Sequence, residues 1–185
     1  GFRCCRGGEE KEDIYQLWSS DPSKCPERMV NIGSFCLDKY EYPNIPQSIP
    51  IGELSWPEAQ LVCESTGKRI CSEAEWNMAC IGPSWRGYPY GNHYASGRCA
   101  IKDDGQIGGR IQKAGSNVGC ATPEGVMDMS GNLWEWVESS TEEGVLRGGG
   151  RHFSAGMGRC RSRALAGEEF SSDEAGVRCC LDASD

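Results

Sequence analysis

The sequence has little histidine, no Cys-x-x-Cys motif, no long apolar run and no excess of positive charge. Its only histidines are His93 and His152, and it has no Cys-x-x-Cys motif, which argues against a zinc site. No apolar run approaches the roughly 18 residues that a membrane-spanning helix needs. The net charge of −8 disfavours nonspecific binding to nucleic acid or to an anionic membrane surface, because both require a basic face.

Cysteine is abundant, with 12 in 185 residues. In a reducing cytosol so many thiols would be metal ligands or a hazard, whereas in an oxidising compartment they form disulfides. We therefore predict that most of them are paired and that the protein is extracellular, periplasmic or on a cell surface. Composition alone leaves the connectivity open.

The chain divides into a linker and a domain. Residues 8–28 are charged and then rich in turn-forming residues, which is typical of a linker. A domain is predicted over 29–185, and it begins with two strands separated near Gly33. Pro43 is predicted to end the second of these strands.

Two short amphipathic helices follow, each with a recognisable start. Ser55 stands three residues before Glu58, and Ser72 stands three residues before Glu75, so both starts carry the pattern of a capping box. From residue 81 onward neither helical nor strand periodicity is sustained, and a coil this long needs something to pin it. Cys99 and Cys120, and a cation, are the candidates.

Short strands return near the carboxyl end, in "NLWEWVES", "GVLRGG" and "AGVRCC". The predicted fold class is therefore α+β. Two short helices pack on a small twisted antiparallel sheet, with much ordered coil and many disulfides.

Several phrases then stand together in one order: "SWPEAQLVCESTGKRICSEAEWNMAC", "YPYGN", "GVMDMSGNLWEWV", "LRGGG", "RCRSR" and "GVRCC". In this order they resemble the formylglycine-generating enzyme (sulfatase-modifying factor) family, over residues 29–180. The resemblance implies that family's variant of the C-type-lectin-like fold.

The two ends of the chain are similar to each other. The chain opens with "GFRCC" and closes its last predicted strand with "GVRCC". Because the family's closing strand has this pattern, residues 1–7 are predicted to be the tail of a preceding similar module. The parent protein would then carry tandem modules, although an unrelated strand is the alternative.

The resemblance also implies a calcium site around "DMSGNLWE". Carried over by position, its ligands would be the side chains of Asp128 and Glu135 and the carbonyls of Gly131 and Leu133. Calcium binds six to eight oxygens at about 2.3–2.6 Å, and this segment offers such oxygens. The alternative is that Asn132 and Glu135 hold the turn by hydrogen bonds. A weaker second site would involve Asp103 and Asp104.

Members that act as enzymes hold copper(I) with two cysteines five residues apart, which suits a soft ion. Counted from the "RGG" side, this pair falls on Phe153 and Gly158. Counted from the "RCRSR" side, it falls on Gly150 and Ala155. Neither alignment supplies a cysteine, so no copper is expected.

The resemblance further implies a disulfide between Cys80, which closes the second helix, and Cys179 of the closing strand. Neighbouring residues of a strand face opposite ways, so Cys180 would need another partner. Trp76, Trp134 and Trp136 are predicted to be core residues.

A basic segment in this acidic chain is the candidate binding surface, formed by Arg151, His152, Phe153, Arg159 and Arg161. It suits an anionic ligand, a carbohydrate or an acidic protein partner, including an adjacent module, unless its arginines pair internally. We therefore predict a non-catalytic extracellular binding or assembly module on a calcium-binding scaffold. The alternatives are a metal-dependent oxidoreductase with altered ligands and a purely structural repeat.

Overall fold

The computed structural model describes residues 21–102, 109–140 and 144–183. The predicted module tail at 1–7, most of the predicted linker, and Asp103 and Asp104 lie outside these ranges. Within the described residues no helix is both long enough and apolar enough to cross a membrane.

The described chain forms two α-helices and eight β-strands. Helix α1 is Trp56–Glu64 and helix α2 is Glu73–Ile81. The strands are β1 Met29–Ile32, β2 Phe35–Asp38, β3 Arg69–Ile70, β4 Trp134–Val137, β5 Gly144–Arg147, β6 Arg163–Ala166, β7 Ala175–Val177 and β8 Cys179–Asp182. Short 3₁₀ helices cover Pro22–Lys24 and Ala155–Gly158.

The strands form two four-stranded sheets. The first has the order β1-β2-β8-β3 and is antiparallel throughout. The second has the order β6-β5-β4-β7, and its β4–β7 pair is parallel. The α+β prediction is confirmed, but the strands make two sheets where one antiparallel sheet was expected. The difference arises because the closing segment, β7 followed directly by β8, leaves one sheet and enters the other.

The local signals at the starts of the elements are confirmed. The Glu58 carboxylate accepts hydrogen bonds from the Ser55 amide at 2.8 Å and its hydroxyl at 2.6 Å. In α2 the Ser72 hydroxyl accepts from the Glu75 amide at 3.2 Å, and the Glu75 carboxylate accepts from the Ser72 amide at 2.8 Å. Gly33, with φ of 70°, makes the predicted break between β1 and β2.

Ten cysteines are described, and all of them form disulfides. The pairs are Cys25–Cys36, Cys63–Cys179, Cys71–Cys180, Cys80–Cys160 and Cys99–Cys120. The last of these joins two parts of the long coil, as predicted for a pin.

The predicted Cys80–Cys179 disulfide is wrong. Helix α1, not α2, brings its cysteine to that face of β8, with 5.5 Å between the Cα atoms of Cys63 and Cys179. Cys80 instead lies 5.5 Å, Cα to Cα, from Cys160. The expectation that Cys180 turns to the opposite face is confirmed, and it bonds to Cys71.

The end of the predicted linker is fastened to the domain. The Cys25–Cys36 disulfide ties it to β2, and the Asp21 amide donates a 3.1 Å hydrogen bond to the Asn31 side chain in β1. Residues 21–28 therefore pack with the domain that was predicted to start at Met29.

The core divides into two apolar clusters. Neighbouring residues of β8 contribute to both, Cys180 to one and Cys179 to the other. Trp76 packs with Cys71, Cys80 and Cys180 in one cluster. The other cluster contains Trp134 and Trp136. The three tryptophans are 0–4% exposed, which confirms their prediction as core residues.

The disulfides should contribute to stability according to the length of chain that each closes. Cys80–Cys160 spans 80 residues and Cys25–Cys36 spans 11. Chain-entropy arguments give about 4–5 kcal/mol for the long loop and about 3 kcal/mol for the short one. We expect the double variant Cys80→Ala/Cys160→Ala to lower the free energy of unfolding more than Cys25→Ala/Cys36→Ala. Guanidinium denaturation measures both, and an equal or reversed order would contradict the assigned pairs.

Candidate functional site

A fully buried arginine, Arg178, lies between the two sheets in the segment that joins β7 to β8. Its Nε donates to Glu135 Oε2 and its Nη2 to Glu135 Oε1, each at 2.7 Å. The remaining donors reach the carbonyls of Asp38, Lys39 and Met127 at 2.9–3.2 Å. Burial alone would lower the pKa of Arg178, but the charge and hydrogen bonds of Glu135 raise it.

Helix α2 joins this network through its tryptophan. The Trp76 indole nitrogen donates a 2.6 Å hydrogen bond to Glu135 Oε2. Glu135 stands on β4, so one carboxylate connects the second sheet, the closing segment and α2. Such a charge-assisted, bidentate pair also fixes geometry, because the planar guanidinium matches the carboxylate.

Two further buried carboxyl groups lie near the same arginine. Glu41 accepts hydrogen bonds from the Asn132 side chain at 2.8 Å and the Leu133 amide at 3.1 Å. Burial, and then the charges of Asp128 and Glu135, raise the pKa of Glu41 well above its usual range. Asp128 accepts from the Gly115 amide at 2.6 Å, and burial raises its pKa to about 6.

These contacts bear on the predicted calcium ligands. Both oxygens of Glu135 already accept hydrogen bonds from Arg178, which supplies the positive charge that a cation would bring. In the part of the chain that the structure describes, no three or more His, Cys, Asp and Glu side chains are grouped to hold a metal ion. Glu135 is thus already paired with an arginine, and the calcium ligand set of Asp128, Glu135, Gly131 and Leu133 stays a prediction.

The alternative role for the turn has direct support. The Asn132 side chain accepts from the Gln112 amide at 2.8 Å and donates to the Gln112 carbonyl at 3.3 Å. Asn132 also has φ of 61°, a left-handed conformation that asparagine tolerates better than most residues. Its side chain therefore holds the turn to the coil around Gln112.

In each alignment, one of the two positions where the family's copper-binding cysteines would fall is a glycine that packs closely against neighbouring side chains. A Cβ on Gly158 would lie 2.0 Å from Ile101 Cδ1 and 2.8 Å from Ser130 Oγ. A Cβ on Gly150 would lie 2.7 Å from Glu174 Oε2 and 3.0 Å from Trp134 Cδ1. In either alignment, a cysteine at one of the two positions would require a neighbouring side chain, Ile101 or Glu174, to move.

The predicted binding surface separates into two groups, and the first is centred on Glu174. Arg151 is 7% exposed and pairs with Asp173 and Glu174. His152 Nδ1 lies 2.5 Å from Glu174 Oε1. Phe153 packs edge-to-face on Trp134, with 5.3 Å between the ring centroids. Arg151 is thus internally paired, as the alternative reading of the arginines expected.

The second group contains Arg159 and Arg161, both exposed. Arg159 lies over the Tyr88 ring and Arg161 over the Trp85 ring, at 5.8 and 5.5 Å from the ring centroids. Neither forms an ion pair with any residue of the described ranges. Both guanidinium groups are thus exposed charges, and of the two only Arg161 lines the cleft described next.

A cleft of about 590 Å³ adjoins this second group at the end of α2. Sequence reasoning identified only Arg161 among its lining residues and missed Met78, Trp85 and Arg147. One local signal could have pointed to it, since "GPSWR" places a tryptophan in a turn directly after a helix. The approach of Arg147 from β5 depends on tertiary packing and has no local signal.

The chain matches one family model and several known proteins in sequence. The family model described as "Sulfatase-modifying factor enzyme 1-like domain" matches residues 41–183. The formylglycine-generating enzyme of Bos taurus is 27% identical over 213 residues, covering 93% of this chain and 54% of that protein. The inactive C-alpha-formylglycine-generating enzyme 2 of Bos taurus is 29% identical over 165 residues, covering 80% of this chain and 52% of that protein.

Among solved structures, Treponema denticola variable protein 1 superimposes with a TM-score of 0.68 at 14% identity. The match covers 80% of this chain and 84% of that one. The fold is the C-type-lectin-like fold that the sequence motifs implied. The chain spans about half the length of the two curated relatives.

The buried carboxyl of Asp128 generates a prediction that separates an ion-pair network from a metal site. Because its pKa is raised from 3.8 to about 6, stability is lost as the pH rises through that interval. Asp128→Asn removes the buried charge, so at pH 7.5 with EGTA it should be more stable than the wild type, by up to about 3 kcal/mol. The advantage should vanish below about pH 3, where the wild-type carboxyl is protonated in both states.

Chemical denaturation at the two pH values checks this, and added calcium provides the control. We expect calcium to leave the unfolding transition of both proteins unchanged. Stabilisation of the wild type by calcium, with Asp128→Asn less stable and unresponsive, would restore the metal site and remove the ion-pair interpretation.

Proposed function

The chain belongs to the sulfatase-modifying factor enzyme 1-like domain family, and from this premise we propose that it is a non-catalytic binding or assembly module of an extracellular protein. The observation that carries the proposal is that neither alignment places a cysteine at the copper-ligand positions. Gly150 and Gly158 pack closely against the side chains of Glu174 and Ile101, and the cysteine nearest to them in the sequence, Cys160, is bonded to Cys80.

The cysteines as a group support the same proposal. Copper(I) is bound by thiolates, and each of the ten described cysteines is held in a disulfide. Cys4 and Cys5 lie outside the described residues, and neither stands in the segment where the family's ligands fall. An oxidoreductase with altered ligands would need another soft donor set in that segment, which has none in its sequence apart from Met157 and His152.

One relative of this chain carries a name that describes it as inactive. One of the proteins that this chain resembles is called an inactive formylglycine-generating enzyme, so the fold is used where the activity is absent. The scaffold suits such a use, because loops on a rigid base can change without loss of the fold. Here the 147–163 segment is such a loop region, fixed at one end by β5 and at the other by Cys160 and β6.

The disulfides favour an extracellular setting for the protein. Five disulfides in one domain are typical of proteins that mature in an oxidising compartment. An extracellular position would also suit a protein built from tandem modules, where neighbouring modules or other extracellular proteins are the partners. The exposed guanidinium group of Arg161, which forms no ion pair within the described ranges, favours an acidic partner.

Copper(I) binding tests the proposal directly. We expect the full chain, prepared without reductant, to take up no copper(I) in competition with a chromogenic chelator. After denaturation, thiol titration should give no thiols from the ten paired cysteines. The double variant Cys4→Ser/Cys5→Ser is the control, because it removes the two cysteines outside the described residues. One equivalent of copper held by that variant would contradict the non-catalytic assignment.

A further inference from the structure

The cleft at the end of α2 combines apolar walls with positive charge, which suits an acidic ligand that also carries an apolar group. It lies between the exposed face of the helix and the segment that follows β5, and has a volume of about 590 Å³. This is within the range of clefts that hold ligands in proteins, roughly 300–1,000 Å³. It is separate from Gly150 and Gly158, the positions discussed above for copper.

The walls of the cleft are apolar and open to solvent. Met78 is 41% exposed and Trp85 is 72% exposed, and Ile81 and Pro83 complete this surface. A single exposed apolar side chain is ordinary, but here an exposed tryptophan and an exposed methionine line the same cleft. Tryptophan is also the residue most often found as an anchor in protein interfaces.

The backbone holds Trp85 in this exposed position. Trp85 has φ of 57°, a left-handed conformation that is costly for a bulky residue. The turn is fixed by Arg86, whose guanidinium donates to the carbonyls of Ala79 and Cys80 at 3.2 Å and pairs with Glu124 at 2.8–3.0 Å. The side chain of Trp85 is thus presented by a rigid turn.

Two cations stand beside the apolar walls. Arg161 lies over the face of Trp85 and has no acidic partner in the described part of the chain. Arg147, 2% exposed, forms the polar side of the cleft, and its Nε has no hydrogen-bond partner among the described residues. The other guanidinium nitrogens of Arg147 donate to the carbonyls of Ser162 and Cys160, so the exposed Arg161 is the cation of the cleft that a ligand can reach.

Charge separates this surface from the rest of the molecule. The chain carries a net charge of −8, whereas both charged residues that line the cleft are arginines. Glu73, the nearest acid, is already paired with Arg163 at 2.9 Å and lies 3.5 Å from Arg147. The cleft is therefore complementary to an acidic partner.

We propose that this cleft binds an acidic peptide segment of a protein partner, with a bulky apolar side chain between Met78 and Trp85 and a neighbouring carboxylate on Arg161. The proposal rests on the function proposed above and names the partner's chemistry. A peptide is favoured over a carbohydrate because sugar hydroxyls need several polar side chains, and Asn77 is the only uncharged one lining the cleft. The Asn77 side chain is moreover already hydrogen-bonded to Arg147.

Selection from a random decapeptide display library against the full chain tests the proposal. Enriched peptides should carry Asp or Glu within about three positions of Trp, Phe, Tyr, Leu or Ile. Affinities of an enriched synthetic peptide are then measured for three variants. Trp85→Asn should weaken binding at least tenfold while keeping the fold, because asparagine accepts the left-handed conformation. Arg161→Glu should also weaken it at least tenfold.

Arg159→Glu is the matched control. Arg159 stands two positions from Arg161 and, like it, is exposed, stacked on an aromatic ring and free of ion pairs in the described ranges. It differs in that it does not line the cleft. It should change the affinity less than threefold. An equal loss for both arginine variants would show diffuse electrostatic attraction and overturn the site.

Two other results would also overturn it. One is a failure to enrich any peptide whose binding Trp85→Asn weakens. The other is binding of acidic glycans on a glycan array that Trp85→Asn abolishes, which would make the ligand a carbohydrate. Failure of the cleft would leave the non-catalytic assignment standing, since that assignment is tested by copper and thiols.

Discussion

Arg178, Cys179 and Cys180 follow one another in the chain, and each fastens the fold in a different direction. Arg178 pairs with Glu135 of the second sheet and bonds to backbone carbonyls beside the first sheet. Cys179 crosslinks to Cys63 in α1, and Cys180 crosslinks through the opposite face to Cys71, just before α2. A buried charge is costly unless paired, so this segment can be accommodated only when both sheets and both helices are in place.

That constraint explains how the fold can lack regular structure over so much of its length. The long coil is held together by the Cys99–Cys120 disulfide and by the hydrogen bonds that the Gln112 and Gly115 amides donate to Asn132 and Asp128. The base in turn supports the segment between β5 and β6, where the enzymes of the family would hold copper. The glycines at those positions pack closely against their neighbours, and the segment exposes Arg159 and Arg161 to solvent.

Much of the fold could be predicted from local sequence, because its signals are local. The serine and glutamate of each capping box satisfy helix-end donors whatever the rest of the chain does, and Gly33 can turn a hairpin without tertiary help. The disulfides could not be paired in this way. Both helices carry a buried cysteine, Cys63 and Cys80, and only the packing of α1 and α2 decides which one reaches β8. The same holds for Arg178, whose pairing with Glu135 joins positions 43 apart, and for the cleft, which Arg147 completes from a strand far along the chain.

The account stands on the claim that the described cysteines are crosslinks and that β8 is stapled on both faces. A disulfide map of the unreduced full chain tests it most directly, using trypsin and a glutamate-specific protease, with electron-transfer fragmentation to separate Cys179 from Cys180. The account predicts Cys63–Cys179, Cys71–Cys180 and Cys80–Cys160 in a single connectivity. A Cys80–Cys179 link, or two of these cysteines found reduced, would contradict it.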